Sequence, residues 1–267
     1  MTLPPFRPDW EPTRATLQRY AKAITALPRA AAIPDRRWAH VSLHPVHGPT
    51  GVEALASTPV ALTDGAQLAS SFDVLAGVIV VSAGDDVATF VLSEGPSPLS
   101  IGTAIADLAV AHGSSFDVES DRYSDAASQT YNEDAAIAWF ANTAWVVSVL
   151  DAFNEGIEGE ISGPHLWPHN FDVATEWYGT RIIEESDGAN SQIIVGYYPQ
   201  GDPYLYSNPI PFDTKWSDTE PPHGAVWHTQ GWNGVKLYAS QFDGTDDRQV
   251  ILDIGDFVHD LTRPELT

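Results

Sequence analysis

The sequence predicts an α+β fold, an antiparallel β-sheet with helices packed on one face, and three observations carry the prediction. Four segments repeat apolar residues at three- and four-residue spacing, the stretches between them alternate with period two, and Gly, Asp and Pro punctuate those stretches at short intervals. The order helix, strands, helix occurs twice, which admits two similar halves, and residues 1–267 are read as a single domain with a subdomain crossover near residues 120–131.

The first helix opens with Pro12 at an early helical position, carries Leu17, Tyr20, Ile24 and Leu27 on one stripe, and is expected to stop at Pro28. Trp38 to His44 then alternates, with Ala39, Val41 and Leu43 on one face and Trp38, His40, Ser42 and His44 on the other, the pattern of a half-buried strand. Strand-like runs follow at residues 52–62, 67–72, 75–82 and 87–92, and Ala83-Gly84-Asp85-Asp86 marks a turn between the last two. Ser97 caps a second helix with Pro98 behind it and Gly113 as its left-handed stop. Asn132 caps the third, whose stripe of Ile137, Phe140, Ala144, Val147, Leu150 and Phe153 is broad enough for deep burial. Residues 164–180, 192–198 and 203–207 read as strands, and a last helix spans about 247–261 with Gly255 as a mild weakness.

Charge restricts the partners. Asp and Glu number 36 against 13 Lys and Arg, giving a net charge of -23 and a pI near 4.4. Phosphate neutralisation needs clustered cations, so nucleic acid and anionic membranes are excluded as partners, and a neutral or cationic small molecule is expected instead. With 43% hydrophobic and 18% charged residues the chain is too apolar for a disordered acidic tail. The acidity has two readings, a salt-rich cytoplasm or the residue usage of a GC-rich genome. The first ten residues lack the apolar core of a secretory signal, and the longest apolar stretch, residues 74–81, is far short of the ~20 residues that span a bilayer, so a cytoplasmic location is expected. Without Cys there is no disulfide, thiolate catalysis or Cys-ligated zinc. Nothing in the sequence fixes the oligomeric state.

Chemistry concentrates in three His/Trp windows: His40 to His44, Gly163 to Asp172, and His223 to Trp232. If the second is extended, His165, Trp167 and His169 share a face, and Asp172 falls opposite unless a bulge at Pro168 reverses the phase. A helical reading would put His165, His169, Asp172 and Glu176 on one stripe, interrupted by Pro168. His40, His165 and His169 are candidate ligands for a divalent transition metal in an open three-ligand site, with hydrogen-bonded structural histidines as the alternative. Tyr204 and Tyr206 alternate with Leu205, so both phenols point one way and suit the mouth of a small-ligand pocket. The candidate pocket is therefore His40, His165, Trp167, His169, Asp172, Tyr204, Tyr206, Trp227 and His228. Nucleophile-elbow, zincin, phosphate-loop and dinucleotide motifs are absent, and Asp243 to Asp247 lacks EF-hand spacing and reads as a turn.

Taken together, Trp10, Thr13, Thr16 and Leu17, then Arg37-Trp38-Ala39-His40-Val41-Ser42-Leu43, then Leu166-Trp167-Pro168-His169-Asn170-Phe171-Asp172 with Ala174, Glu176, Trp177 and Arg181, then Pro203 to Pro209 and Trp227-His228-Thr229-Gln230-Gly231-Trp232 resemble the uncharacterised bacterial family called domain of unknown function 5996. The resemblance covers the chain from Trp10 to about Leu261. It implies that His40, His165, Phe171 and Asp172 occupy positions where the family has the same residues, whereas His44 departs from it. It supports one domain and a shared pocket but names no reaction. Two functions stay open: small-molecule binding or catalysis through the His/Trp/Tyr pocket, and a non-catalytic interaction or scaffold protein with a structural His/Trp core.

Overall fold

The computed structural model describes residues 2–35, 37–183 and 188–267, and its strands pair antiparallel throughout, as an α+β fold of this kind requires. Two compact units divide the chain. The first comprises Pro5–Ala144 and Leu166–Asn170, the second Met1–Pro4, Trp145–His165 and Phe171–Thr267. The division falls inside a helix, at Ala144/Trp145, while residues 120–131 belong wholly to the first unit.

In the first unit, α1 (Glu11–Ile24) buries Leu17, Tyr20 and Ile24, the stripe its spacing predicts. Pro28 does not end the helical run. The chain bends instead at Thr25, whose hydroxyl donates to the Ala21 carbonyl at 2.7 Å, and α2 (Ala26–Ala31) carries Pro28 in its first turn, where no N–H is needed. The expected strand from Trp38 is also overturned. Trp38 is left-handed (φ 62), Ala39–Val41 form a 3-10 turn closed by the Ser42 hydroxyl on the Ala39 carbonyl, and β1 begins only at Leu43 (Leu43–Gly48). The sheet continues through β2 (Gly51–Ser57), β3 (Val60–Ala61), β4 (Gln67–Asp73), β5 (Val78–Ala83) and β6 (Asp86–Val91). In it β1 pairs with β2, β2 with β4, β3 with β4, and β4, β5 and β6 follow as a meander. The helix α3 (Pro98–Ala111) packs on β5 and β6, and its N-cap is as predicted: Ser97 Oγ accepts from the Ser100 N–H at 3.1 Å.

The long helix α4 (Glu133–Gly156) starts where Asn132 accepts the Ala135 N–H at 3.0 Å. By length and composition it is the one helix among the described residues that is apolar enough to cross a membrane, which amends the sequence reading, but 56% of its apolar window is buried inside the protein, as in a core helix.

The second unit holds β7 (Glu160–Ile161), β9 (Asp172–Ile183), β10 (Ala189–Tyr198), β11 (Tyr204–Ile210), β12 (Val226–His228) and β13 (Gly234–Tyr238), in the order β12-β13-β11-β10-β9, with β7 also on β9. The short strand β8 (His165–Trp167) precedes β9, and its Leu166 pairs with Leu43 in the first unit. The last helix, α5 (Asp247–Leu266), runs past the predicted Leu261 because Thr262 and Leu266 keep to its buried stripe. It packs on β9, β10 and β11. The acidic turn before it bonds backbone: Asp247 accepts the Leu3 and Gly244 N–H groups at 2.7 and 3.1 Å, and Asp243 accepts that of Thr245 at 2.8 Å.

Candidate functional site

Residues 164–180, predicted as one strand, are two. A turn over residues 168–171, with Phe171 left-handed at φ 61, separates β8 from β9 and resets the alternation, so Asp172 starts a new phase without a bulge. Along β9, Val173, Thr175 and Trp177 then face the helices: Trp177 meets His259 of α5 edge-on at 5.3 Å, and Thr175 Oγ donates to Asn154 of α4 at 3.0 Å. Asp172, Ala174 and Glu176 take the opposite face.

That face is polar and aromatic. Gly196 of β10 pairs with Ala174 on one side and with Tyr206 of β11 on the other, which places three residues in one row across the sheet. The row is low where the Tyr206 ring crosses it. A Cβ on Gly196 would stand 2.5 Å from Tyr206 Cζ and Oη and 2.9 Å from Ala174 Cβ, so only glycine lets the ring lie flat enough to reach β9. There the Tyr206 hydroxyl donates to Asp172 Oδ2. The other carboxylate oxygen, Oδ1, is buried and has no hydrogen-bond partner among the described residues, and the residue as a whole is 4% exposed.

Burial pushes Asp172 up to about 6, against the lowering effects of the Tyr206 hydrogen bond, its own backbone N–H and the His165 charge, and the Glu176 charge adds to the rise. Tyr206 is held well above its ordinary value by burial and then by the Asp172 charge. A second pair lies further along the same face. His165 Nδ1–H donates to the Gly163 carbonyl at 3.1 Å, while Nε2 stands 3.4 Å from Glu176 Oε2, an oxygen that also accepts the Ser162 hydroxyl at 2.7 Å. Burial alone would lower the imidazole; the Glu176 hydrogen bond and charge outweigh it and raise His165. With Nδ1 already donating, the proton so favoured sits on Nε2 and faces the carboxylate.

Beside Asp172 the rings of Tyr198 and Tyr204 stack at 5.0 Å, Trp232 lies over Tyr204 at 6.1 Å and edge-on to Tyr206 at 6.0 Å, and His228 closes on Trp232 at 4.5 Å. Burial and the neighbouring Tyr198 and Asp172 push Tyr204 up to about 12. The Lys236 ammonium sits 3.9 Å from the Tyr204 ring centre and 4.3 Å from that of Tyr238.

Of the predicted pocket residues, the second unit thus brings together His165, Asp172, Tyr204, Tyr206 and His228. Trp227 is apart, packed against Phe212 and, in α5, Phe257, with its indole N–H on the Thr219 carbonyl at 2.8 Å. His40, Trp167 and His169 belong to the first unit. There His40 is 7% exposed and its Nδ1 accepts the Asp35 N–H at 3.2 Å, and burial, with the Arg29 charge, holds it below its ordinary value, so it is neutral with the proton on Nε2. Among the described residues no group of three or more His, Asp or Glu side chains is arranged to hold a metal ion. A cavity of about 170 Å³ in the first unit, lined by Leu27, Ile105, Val110, Phe116 and Tyr123 among others, includes none of the predicted site residues.

Two participants escaped the sequence reading: Lys236 lies in a strand too short to show period two, and Ser162 precedes the window; Trp232 closes the third window but is not among the predicted pocket residues. Glu176 was legible: two alternations from Asp172 put it on the same face of any strand that contains both. No curated protein and no solved structure matches the chain. A family model described as a family of unknown function, DUF5996, matches residues 4–260 of the 267, and the chain belongs to that family.

Proposed function

We propose that the protein binds a small neutral or cationic molecule on the polar-aromatic sheet face of the second unit, with Asp172 as the recognising carboxylate and as a group able to exchange a proton near neutral pH. The observation that carries this reading is the buried Asp172 carboxylate, bonded by Tyr206 through one oxygen and unbonded through the other. Burying a carboxylate is unfavourable and a half-bonded one more so, which gives the residue a use other than folding. A ligand N–H, ammonium or hydroxyl supplies the missing donor. The neighbouring Tyr204 and Tyr238 rings already carry one ammonium, that of Lys236, so the surface suits a cation.

The test is Asp172→Asn in the full chain. The substitution removes the buried charge while an amide oxygen still accepts from Tyr206, so the unliganded variant is expected to be more stable at neutral pH and to lose the thermal stabilisation that methylammonium or another simple protonated alkylamine gives the native protein. A second reading, a non-catalytic interaction or scaffold protein, is favoured by the way Tyr198, Tyr204 and Trp232 pack ring on ring and fill much of this face. It predicts the reverse: Asp172→Asn destabilises, and no amine changes the melting temperature of either form.

A further inference from the structure

We propose that the first unit holds a separate binding site for a small oxyanion, the carboxylate or phosphate group of a metabolite, formed by Lys22, Arg29, Arg122 and His169. The proposal is independent of the Asp172 site, which lies in the other unit.

Cations are scarce in this chain, 13 against 36 carboxylates, yet several gather on one part of the first unit. Their placement is fixed by packing. The Gln18 side chain, one turn before Lys22 on α1, donates to the backbone carbonyls of Pro168 at 3.3 Å and His169 at 2.8 Å, which seats the His169 turn beside the Lys22 turn of the helix. Arg29 on α2 reaches Glu119 at 3.5 Å and lies over the Trp38 ring at 5.5 Å, and the 3-10 turn Ser120–Arg122 packs on α1, so Arg122 enters from the third side.

The neighbouring arginines have carboxylates of their own: Arg14 pairs with Glu11 at 2.7 Å and Arg19 with Asp125 at 3.8 Å. Lys22 and Arg122 do not. Among the described residues no carboxylate lies within ion-pair distance of either, and Arg122 Nε is buried with no hydrogen-bond partner. The carboxylates whose charge reaches Arg122 are Glu119, engaged by Arg29, and the exposed Asp121, and burial with the Arg29 charge outweighs them. The cations also feel one another. Lys22 is lowered by burial and then by Arg122, and the His169 imidazole by burial and then by Lys22, Arg122 and Arg29.

Lys22 and Arg122, part-buried, mutually repelling and with no carboxylate at ion-pair distance, are unfavourably placed unless an anion joins them; Arg29, which already holds Glu119, and His169 stand exposed beside them. Guanidinium N–H forks and an ammonium together match the geometry of carboxylate and phosphate oxygens. The net charge of -23 keeps polymers such as nucleic acid away at long range, so the anion is small. Trp38, 54% exposed under Arg29, offers a flat apolar wall for the rest of such a molecule.

The experiment is thermal unfolding of the full chain near pH 7 in sodium phosphate and, separately, in sodium benzoate, each up to about 50 mM with ionic strength matched by sodium chloride. Saturable stabilisation by phosphate points to a phosphorylated ligand and by benzoate to a carboxylic acid. Either result supports the site, provided that Lys22→Gln and Arg122→Gln each weaken the apparent affinity about tenfold or more while Lys22→Arg stays within about threefold. Should Arg122→Gln fail to fold, Lys22→Gln with its Lys22→Arg control decides. Equal melting temperatures in all three salts, or stabilisation that the Gln variants retain in full, would overturn the proposal.

Discussion

Asp172 sits where its charge is opposed by its surroundings and tolerated through one phenol. Its carboxyl is raised from 3.8 to about 6, so between those values the folded chain holds a proton that the unfolded chain has released. Stability therefore falls as pH rises from about 4 to about 6, and above that window the ionised, buried group costs about 3 kcal/mol. Asp172→Asn should flatten this pH dependence. At pH above about 7 it should stabilise by about 1–2 kcal/mol after loss of the charge-assisted bond from Tyr206, as read by urea unfolding across the pH range. His165 has the matching sign: its raised imidazole contributes stability that is complete below its unfolded value near 6.5 and is lost as pH climbs through the folded one. Gly196 makes the arrangement possible, and Gly196→Ala should destabilise by about 1–3 kcal/mol as the new methyl forces the Tyr206 ring off the row. The same change should lift the Asp172 carboxyl further by removing its donor, which carboxylate NMR titration would detect.

Among the elements, those with a local cause were readable in the sequence. Ser97 and Asn132 cap α3 and α4 as predicted because a cap depends on a side chain and a backbone N–H two or three residues away. The Ala83 to Asp86 turn likewise joins β5 to β6. Elements decided by distant contacts were not. The left-handed Trp38, stacked under Arg29 and on His40, turns an alternating sequence into a 3-10 turn, and the left-handed Phe171 splits one predicted strand into two. That second misreading also decided the site, because the break frees Asp172 and Glu176, which share a face in either reading, from the phase of His165 and Trp167. Gly255 shows the same limit in reverse. Read as a weak point of α5, it is a contact: a Cβ there would stand 2.8 Å from Phe153 Cε2 on α4. Gly255→Ala gains about 1 kcal/mol of helix propensity and loses about 1–3 kcal/mol to overpacking, for a net destabilisation of about 1 kcal/mol. Combined with Phe153→Leu, the alanine should become neutral or stabilising, which a double-mutant cycle of melting temperatures checks.

For the whole molecule the dominant fact is self-repulsion, 36 acidic against 13 basic side chains. Screening by salt should raise the melting temperature steadily between about 10 mM and 500 mM sodium chloride; a flat or falling curve would mean that the ion pairs outweigh the excess charge. The basic cluster on the first unit and the half-bonded Asp172 in the second are the two places where charge is least balanced by neighbours, and the net figure of -23 conceals both. The division of the chain adds a consequence for its synthesis. Neither unit is continuous: the first recovers Leu166–Asn170 after α4, and the second needs Met1–Pro4 as well as its last helix. The Leu3 N–H bonds an Asp247 carboxylate 244 residues later, so at about 5–20 residues per second that N–H waits roughly 12–50 s for a partner that the ribosome has not yet made. The second unit therefore closes only after Asp247 and α5 have been made, and until then the contacts of Leu3 stay open.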